Sequence, residues 1–208
     1  MTEINPKDYI FLRNEAPRLY LTKNRLLQGN NWEQQIKKLA KRKGFMTDMF
    51  DFLELRLLLD SRKKVFDGRG NLISTKEKQE ILDEMVGIRN PLRGECFGNR
   101  FIHYSDEVYM ESNFVVKDNK IMPLKINKIY PLMQGGFKEG LTSFKYFNEN
   151  KLATKLEGKE VYYRPTLYDG YVAWFYTSSD GAWLNCNSNP DVPNLGIGVR
   201  ESRKNFEV

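Results

Sequence analysis

Two hydrophobic rhythms run along the chain, and the change between them falls near its middle. In residues 9–22, "YIFLRNEAPRLYLT", apolar positions follow the short period of strands, with a turn expected before Pro17. From Asn31 the period lengthens. Trp32, Ile36 and Leu39 recur at helical spacing, Asn31 and Gln34 can cap the start, and Gly44 can close the end. A second helix is predicted at once, with Thr47 as cap and Met49, Phe52, Leu53, Leu55 and Leu59 on its apolar side. The turn at 67–71, "DGRGN", predicts a short hairpin, and Ser74 with Glu77 predicts the capping box of a third helix.

Beyond Pro91 the strand rhythm returns, rich in Val, Ile, Tyr and Phe. Turns are expected at 117–120, before Pro123 and Pro131, at 168–170 and at 178–181, and "LGIGVRES" predicts a last strand. The order is α+β, two or three helices packed on irregular antiparallel sheets, in a single domain over residues 1–208 without internal repeats.

Composition narrows the picture. The 208 residues are 40% hydrophobic and 13% aromatic, enough for a packed core. No apolar run reaches the roughly 20 residues of a membrane span, and "MTEINPKDY" lacks the pattern of a secretory signal. Synthesis and folding in the cytoplasm are therefore expected, and display on a surface or particle stays open. Cys96 and Cys186 are too few for a disulfide scaffold, and a lone His103 offers little for His-based catalysis or metal binding. No nucleophile–base pairing stands out, so no enzyme, cofactor or metal site is expected.

The net charge of +6 invites a nucleic-acid reading, carried by Lys37, Lys38, Lys41, Arg42 and Lys43 on the first helix. A solvated helix face accounts for the same lysines. "MQGGFKEG" (133–140) lacks the context of a phosphate loop and is read as a flexible turn.

One stretch departs from the rest. Residues 161–200 contain no Lys, Glu, Gln or Met, although these four types supply 48 of the 208 residues and the longest gap elsewhere is 11. Strands and tight turns disfavour those residues, which is one explanation. The alternative is a surface chosen for contact. Tyr, Ser, Asn and Asp are abundant in the stretch, as in an antibody combining site.

Two motifs give that alternative a shape. A Trp-headed helix ending at Gly44 leads through Met46 and Thr47 to a helix carrying Asp51–Phe52. Later, Gly181-Ala182-Trp183 is followed by an Asn/Ser/Pro-rich excursion and then Gly198-Val199-Arg200. Together they resemble C-type-lectin-like domains over about residues 30–60 and 170–203, without the turn proline of the first motif. The composition gap is similar to that of one group with this fold, the variable proteins of diversity-generating retroelements, of archaeal or viral type. There, randomised template adenines yield codons that never encode Lys, Glu, Gln, Met or Trp.

The resemblance implies a ligand-binding region at 161–200 with contacts from Tyr168, Asp169, Tyr171, Ala173, Phe175, Tyr176, Ser178, Ser179, Asp180, Asn185, Asn187, Ser188, Asn189, Asp191 and Asn194. Trp174, Trp183, Gly181, Gly198 and Arg200 are then scaffold, with Trp183 expected in the core beneath the loops. The implied partner is a protein or cell-surface ligand. Asn189-Pro190-Asp191 resembles the triplet of calcium-dependent lectins, but it follows the Trp strand and lacks acidic neighbours. Paired reactive cysteines, as in the formylglycine-generating relatives of the fold, would require Cys96 and Cys186 to meet.

Overall fold

A computed structural model describes residues 4–13, 18–88, 93–131, 136, 138–150 and 152–204. The turn expected before Pro17 and residues 133–135 and 137 of the glycine-rich stretch at 133–140 lie outside these residues. Among the described residues, three α-helices and mostly antiparallel sheets make an α+β fold.

The helices begin where side chains can take up free backbone N–H groups. In α1 (Trp32–Lys41), Asn31 accepts from Gln34 N while Gln34 reciprocates to Asn31 N, closing a capping box. In α2 (Met49–Asp60) the cap is Asp48, not Thr47. Thr47 is buried, and its hydroxyl donates 2.9 Å to the Arg200 carbonyl instead. In α3 (Thr75–Val86), Ser74 caps Glu77 N, but the Glu77 carboxylate reaches Lys23 at 2.6 Å. After α1 the left-handed position is Lys43, with φ 59°. Gly44 serves a different need: a Cβ there would meet Glu201 Oε1 at 2.1 Å.

Strands β1 (Tyr9–Arg13), β2 (Leu19–Thr22), β3 (Phe45–Met46) and β14 (Glu201–Lys204) form one sheet in the order β1-β2-β14-β3. The closing strand is thus held between two early ones. The large sheet has the order β6-β5-β4-β11-β12-β10-β7. Its members are β4 (Arg93–Tyr104), β5 (Glu107–Lys117), β6 (Lys120–Ile129), β7 (Gly140–Thr142), β10 (Val161–Arg164), β11 (Val172–Ser178) and β12 (Gly181–Ser188). A two-residue strand, β13 (Ile197–Gly198), lies parallel to the start of β4, and β8 (Phe147–Asn148) pairs with β9 (Leu152–Ala153) alone.

Two expectations change here. Pro123 does not end a strand but sits within β6, the outermost strand, where a missing N–H costs no ladder bond. The last strand predicted from "LGIGVRES" divides between β13 and β14, which belong to different sheets. The turn at 117–120 is as expected, with Asp118 and Asn119 both at positive φ, 50° and 61°, joining β5 to β6.

The large sheet buries both faces, unequally. On one side α2 and α3 cover Phe97, Phe101, Ala173, Phe175, Leu184 and Cys186, with Phe52 packed 5.0 Å from Phe97 and 5.1 Å from Phe175. On the other side a smaller core joins Trp32, Ile36 and Leu39 of α1 to Cys96, Phe114, Val172 and Ile197. That second core does not extend to β12, β10 or β7.

Candidate functional site

Alternation along strands decides which side chains of 161–200 reach solvent. Of the forty positions, fifteen are buried and twenty-five retain some exposure. The buried set includes Val161, Tyr163, Ala173, Phe175, Leu184 and Cys186, the members pointing toward α2 and α3. Their neighbours point the other way: Trp174 and Tyr176 pack against the α1-side core, while Tyr162 and Trp183 belong to neither core.

Register aligns these outward residues into rows across the strands. Leu141 of β7 stands opposite Tyr162 of β10, Tyr162 opposite Trp183 of β12, and Trp183 opposite Tyr176 of β11. At about 4.8 Å per strand the row is roughly 15 Å long. The rings touch: Tyr162 and Trp183 are 4.4 Å apart at 45°, and Tyr176 stacks on Trp183 at 6.0 Å and 5°. The row ends at Gly94 of β4, where a Cβ would lie 2.6 Å from the Tyr176 Cβ. A parallel row is polar at its open end: Arg164, Asn185, then Trp174 and Cys96. Arg164 lies 3.5 Å from Glu139. Burial raises the Tyr176 phenol pKa, and the charge of Arg164 opposes that rise.

Beside the aromatic row opens a cavity of about 420 Å³, walled by Tyr162, Trp183, Ile88 and Leu141 and rimmed by Lys159, Glu160 and Asp180. At the other end, residues 165–171 form a loop fixed by polar contacts. Leu167 N donates to Asn187 Oδ1 at 3.1 Å, and His103 N donates to Asp169 Oδ1 at 2.9 Å. The His103 ring bonds the Thr166 hydroxyl at 3.1 Å, so this histidine holds the loop. Tyr168 and Tyr171 pack together at 5.1 Å, Tyr168 being exposed.

The asparagines have structural tasks as well. Asn185, Asn189 and Asn194 each accept, through Oδ1, the N–H of the residue two positions on. The bond at Asn185 lies within β12, while those at Asn189 and Asn194 are Asx turns, so part of the Asn richness is turn chemistry. The excursion 189–196 is anchored to α1, with Trp32 N donating to Pro190 O at 3.1 Å.

Most of the expected contact residues reach solvent: Tyr168, Asp169, Tyr171, Tyr176, Ser178, Ser179, Asp180, Asn185, Asn187, Asn189, Asp191 and Asn194 are exposed or half-buried. Three do not. Ala173 and Phe175 are 0% exposed because their strand parity turns them into the larger core, and Ser188 is 6% exposed opposite Val172. Trp183 also departs from expectation. It is half-buried in the open row, not beneath the loops, whereas Trp174 packs against the α1-side core with its indole nitrogen buried. Gly181, at φ 124°, turns the β11–β12 hairpin, and a Cβ on Gly198 would meet the Leu26 carbonyl at 2.8 Å.

Arg200 is scaffold of an unusual kind. It is fully buried, and its guanidinium bonds Glu95 at 2.9 Å, the Thr22 carbonyl at 2.9 Å, the Lys23 carbonyl and Glu84. One residue on, buried Glu201 faces Arg42 at 3.2 Å and Arg203. This clasp ties the closing strand to β2, α3 and β4. Burial raises the Glu95 pKa, and Arg200 opposes it.

Sequence reasoning missed Leu141, Tyr162 and Arg164 as members of the face. The signal lay in "VYYR", where Tyr162 and Arg164 alternate with buried Val161 and Tyr163.

The two cysteines cannot serve as a reactive pair. Cys96 belongs to the α1-side core and Cys186 to the opposite one, on strands separated by β11. Two strand spacings are about 9.6 Å, beyond the roughly 7 Å a disulfide spans. Burial raises both thiols far above the ordinary range, which keeps them protonated and unreactive. Among the described residues no three His, Cys, Asp or Glu side chains converge as metal ligands.

No known protein family, no curated protein and no solved structure matches this chain.

Proposed function

We propose that the chain is a non-catalytic, receptor-type binding protein: a C-type-lectin-like scaffold that displays a sequence-variable surface, diversified by a retroelement. One observation carries this reading. The segment without Lys, Glu, Gln or Met splits by strand parity into a buried half that builds the core and an outward half that carries a row of half-buried aromatics facing away from the larger core. Tyr162, Trp183 and Tyr176 supply rigid contact area, and Arg164, Asn185 and Asn187 stand beside them. Tyr, Trp and Arg in that setting are the residue types that dominate binding energy at protein interfaces. The ligand is a protein or a cell-surface structure. Phe175, being buried, is replaced as an anchor by Trp183 and Tyr162.

The nucleic-acid alternative draws less support. On the basic helix Lys37 pairs with Glu33 at 3.2 Å, Lys38 bonds Asn30, and Arg42 is turned toward Glu201. That leaves Lys41 and Lys43 exposed at one helix end.

The test is the locus itself, compared across independent isolates. A nearby template repeat that differs from the coding repeat only at adenines is expected, with changes at the codons for Tyr168, Tyr176 and Asn185. Changes spread evenly over buried and outward codons, or no repeat at all, would overturn the diversification.

A further inference from the structure

The cavity beside the aromatic row opens at the end of the sheet where β10 and β12, running parallel, both begin. The end of α3 reaches it, fixed by the Thr177 hydroxyl, which donates to the Gly87 carbonyl at 2.8 Å. Its volume of about 420 Å³ lies toward the small end of the roughly 300–1,000 Å³ of ligand pockets. That size suits one long side chain better than a bulky group.

Two kinds of surface meet there. Ile88 and Leu141 offer exposed apolar wall, and Tyr162 and Trp183 offer two rings 4.4 Å apart. The two carboxylates at the rim differ in freedom. Glu160 is committed to Arg56 and to Phe144 N, each at 3.3 Å. Asp180 forms no ion pair among the described residues, and its carboxylate accepts from the Ser179 hydroxyl at 3.4 Å. Apolar wall for a stem, rings for a cationic head and a carboxylate beside them together suit an arginine. Lysine fits less well, since its strongly hydrated ammonium presents no flat face to the rings.

The molecule builds this setting once for itself. The Arg100 guanidinium lies 5.6 Å from the Trp32 ring and 5.4 Å from the Phe114 ring, and it bonds Glu111 at 2.7 Å. Those two rings pack edge to face, 4.9 Å apart. Around Trp183 and Tyr162 a ring pair and a carboxylate recur, but among the described residues no cation of this chain lies over the rings. Arg164, two residues beyond Tyr162, is turned to Glu139 at 3.5 Å. Lys159 stands at the rim and repels an incoming cation, which makes its removal informative.

Resting on the binding reading above, we propose that the recess receives an arginine side chain of the protein partner, its guanidinium over Trp183 and Tyr162 and toward Asp180. The full chain, labelled with nitrogen-15, is titrated with N-acetyl-arginine amide while its three indole N–H resonances are followed. The Trp183 resonance, identified by its loss in Trp183→Phe, is expected to shift with a Kd on the order of 1 mM. Those of Trp32 and Trp174 are expected to stay in place, both indole nitrogens being buried. The uncharged isostere N-acetyl-citrulline amide is expected to bind at least about fivefold more weakly. Asp180→Asn is expected to weaken arginine binding about two- to fivefold, and Lys159→Ala to strengthen it about twofold. Both side chains are exposed, so neither change is expected to move the thermal midpoint.

An unmoved Trp183 resonance well above that concentration, or equal binding of the arginine and citrulline amides, overturns the proposal. A shift with methyl glucoside and none with the arginine amide overturns it in favour of a neutral sugar. These titrations read the recess alone, whereas the broader binding reading stands or falls on the locus comparison.

Discussion

Arg164 and Arg200 are the two basic residues of the segment 161–200, and they belong to opposite regimes. Arg200 has no solvent exposure, and its donors are spent on Glu95, Glu84 and two carbonyls. Arg164 is exposed at the edge of the aromatic row, with Glu139 at 3.5 Å. The same side chain is a clasp in one place and a probe in the other. The difference lies in what surrounds it: three elements converge on Arg200, while nothing among the described residues roofs Arg164's end of the face.

The sharpest way to break this contrast is to remove each arginine. Arg200→Ala leaves Glu95 and Glu84 without their shared cation and is expected to cost about 3–5 kcal/mol in urea unfolding. Arg164→Ala is expected to change stability by less than about 0.5 kcal/mol. Equal costs would erase the distinction. A second pair tests strand parity. Phe175→Ala opens a cavity against Phe52 and Phe144 and is expected to cost about 3 kcal/mol or more. Its neighbour Tyr176, half-buried, is expected to cost about 1 kcal/mol when replaced by Ala.

A smaller effect concerns pH. Asp51, near the start of α2, has a pKa raised to about 7 by burial and by the nearby Asp48, against the pull of Arg13. The folded chain therefore holds a proton that the unfolded chain releases near 3.8. This contribution is fully present below about pH 4 and lost as pH rises through about 7. Asp51→Asn is expected to flatten the stability profile over that window, whereas Arg164→Ala leaves its slope unchanged. Parallel profiles for Asp51→Asn and the parent chain would contradict the assignment.

The helices were legible because their signals are local. Asn31 with Gln34, and the spacing of Trp32, Ile36 and Leu39, need no knowledge of the rest of the chain. Thr47 misled because a hydroxyl before a helix is an ordinary cap, and only the fold reveals that Arg200 and Ser202 claim it. Ala173 and Phe175 were misplaced for a related reason. A run such as "VAWFYTS" has apolar residues at both parities, so the sequence does not say which parity faces inward. The pairing of Leu141 with Tyr162, and of Tyr162 with Trp183, is a matter of long-range register and leaves no local mark.

The central claim is that the outward side chains of 161–188 contribute less to the fold than their inward neighbours do. A protease-resistance display library randomised at Tyr162, Tyr176, Ser178 and Asn185, compared with one randomised at Val161, Tyr163, Phe175 and Leu184, measures that directly. Most members of the first library are expected to remain folded and most of the second to be digested. Equal loss in both would mean that the aromatic row is part of the core, and the account of a contact surface would fail.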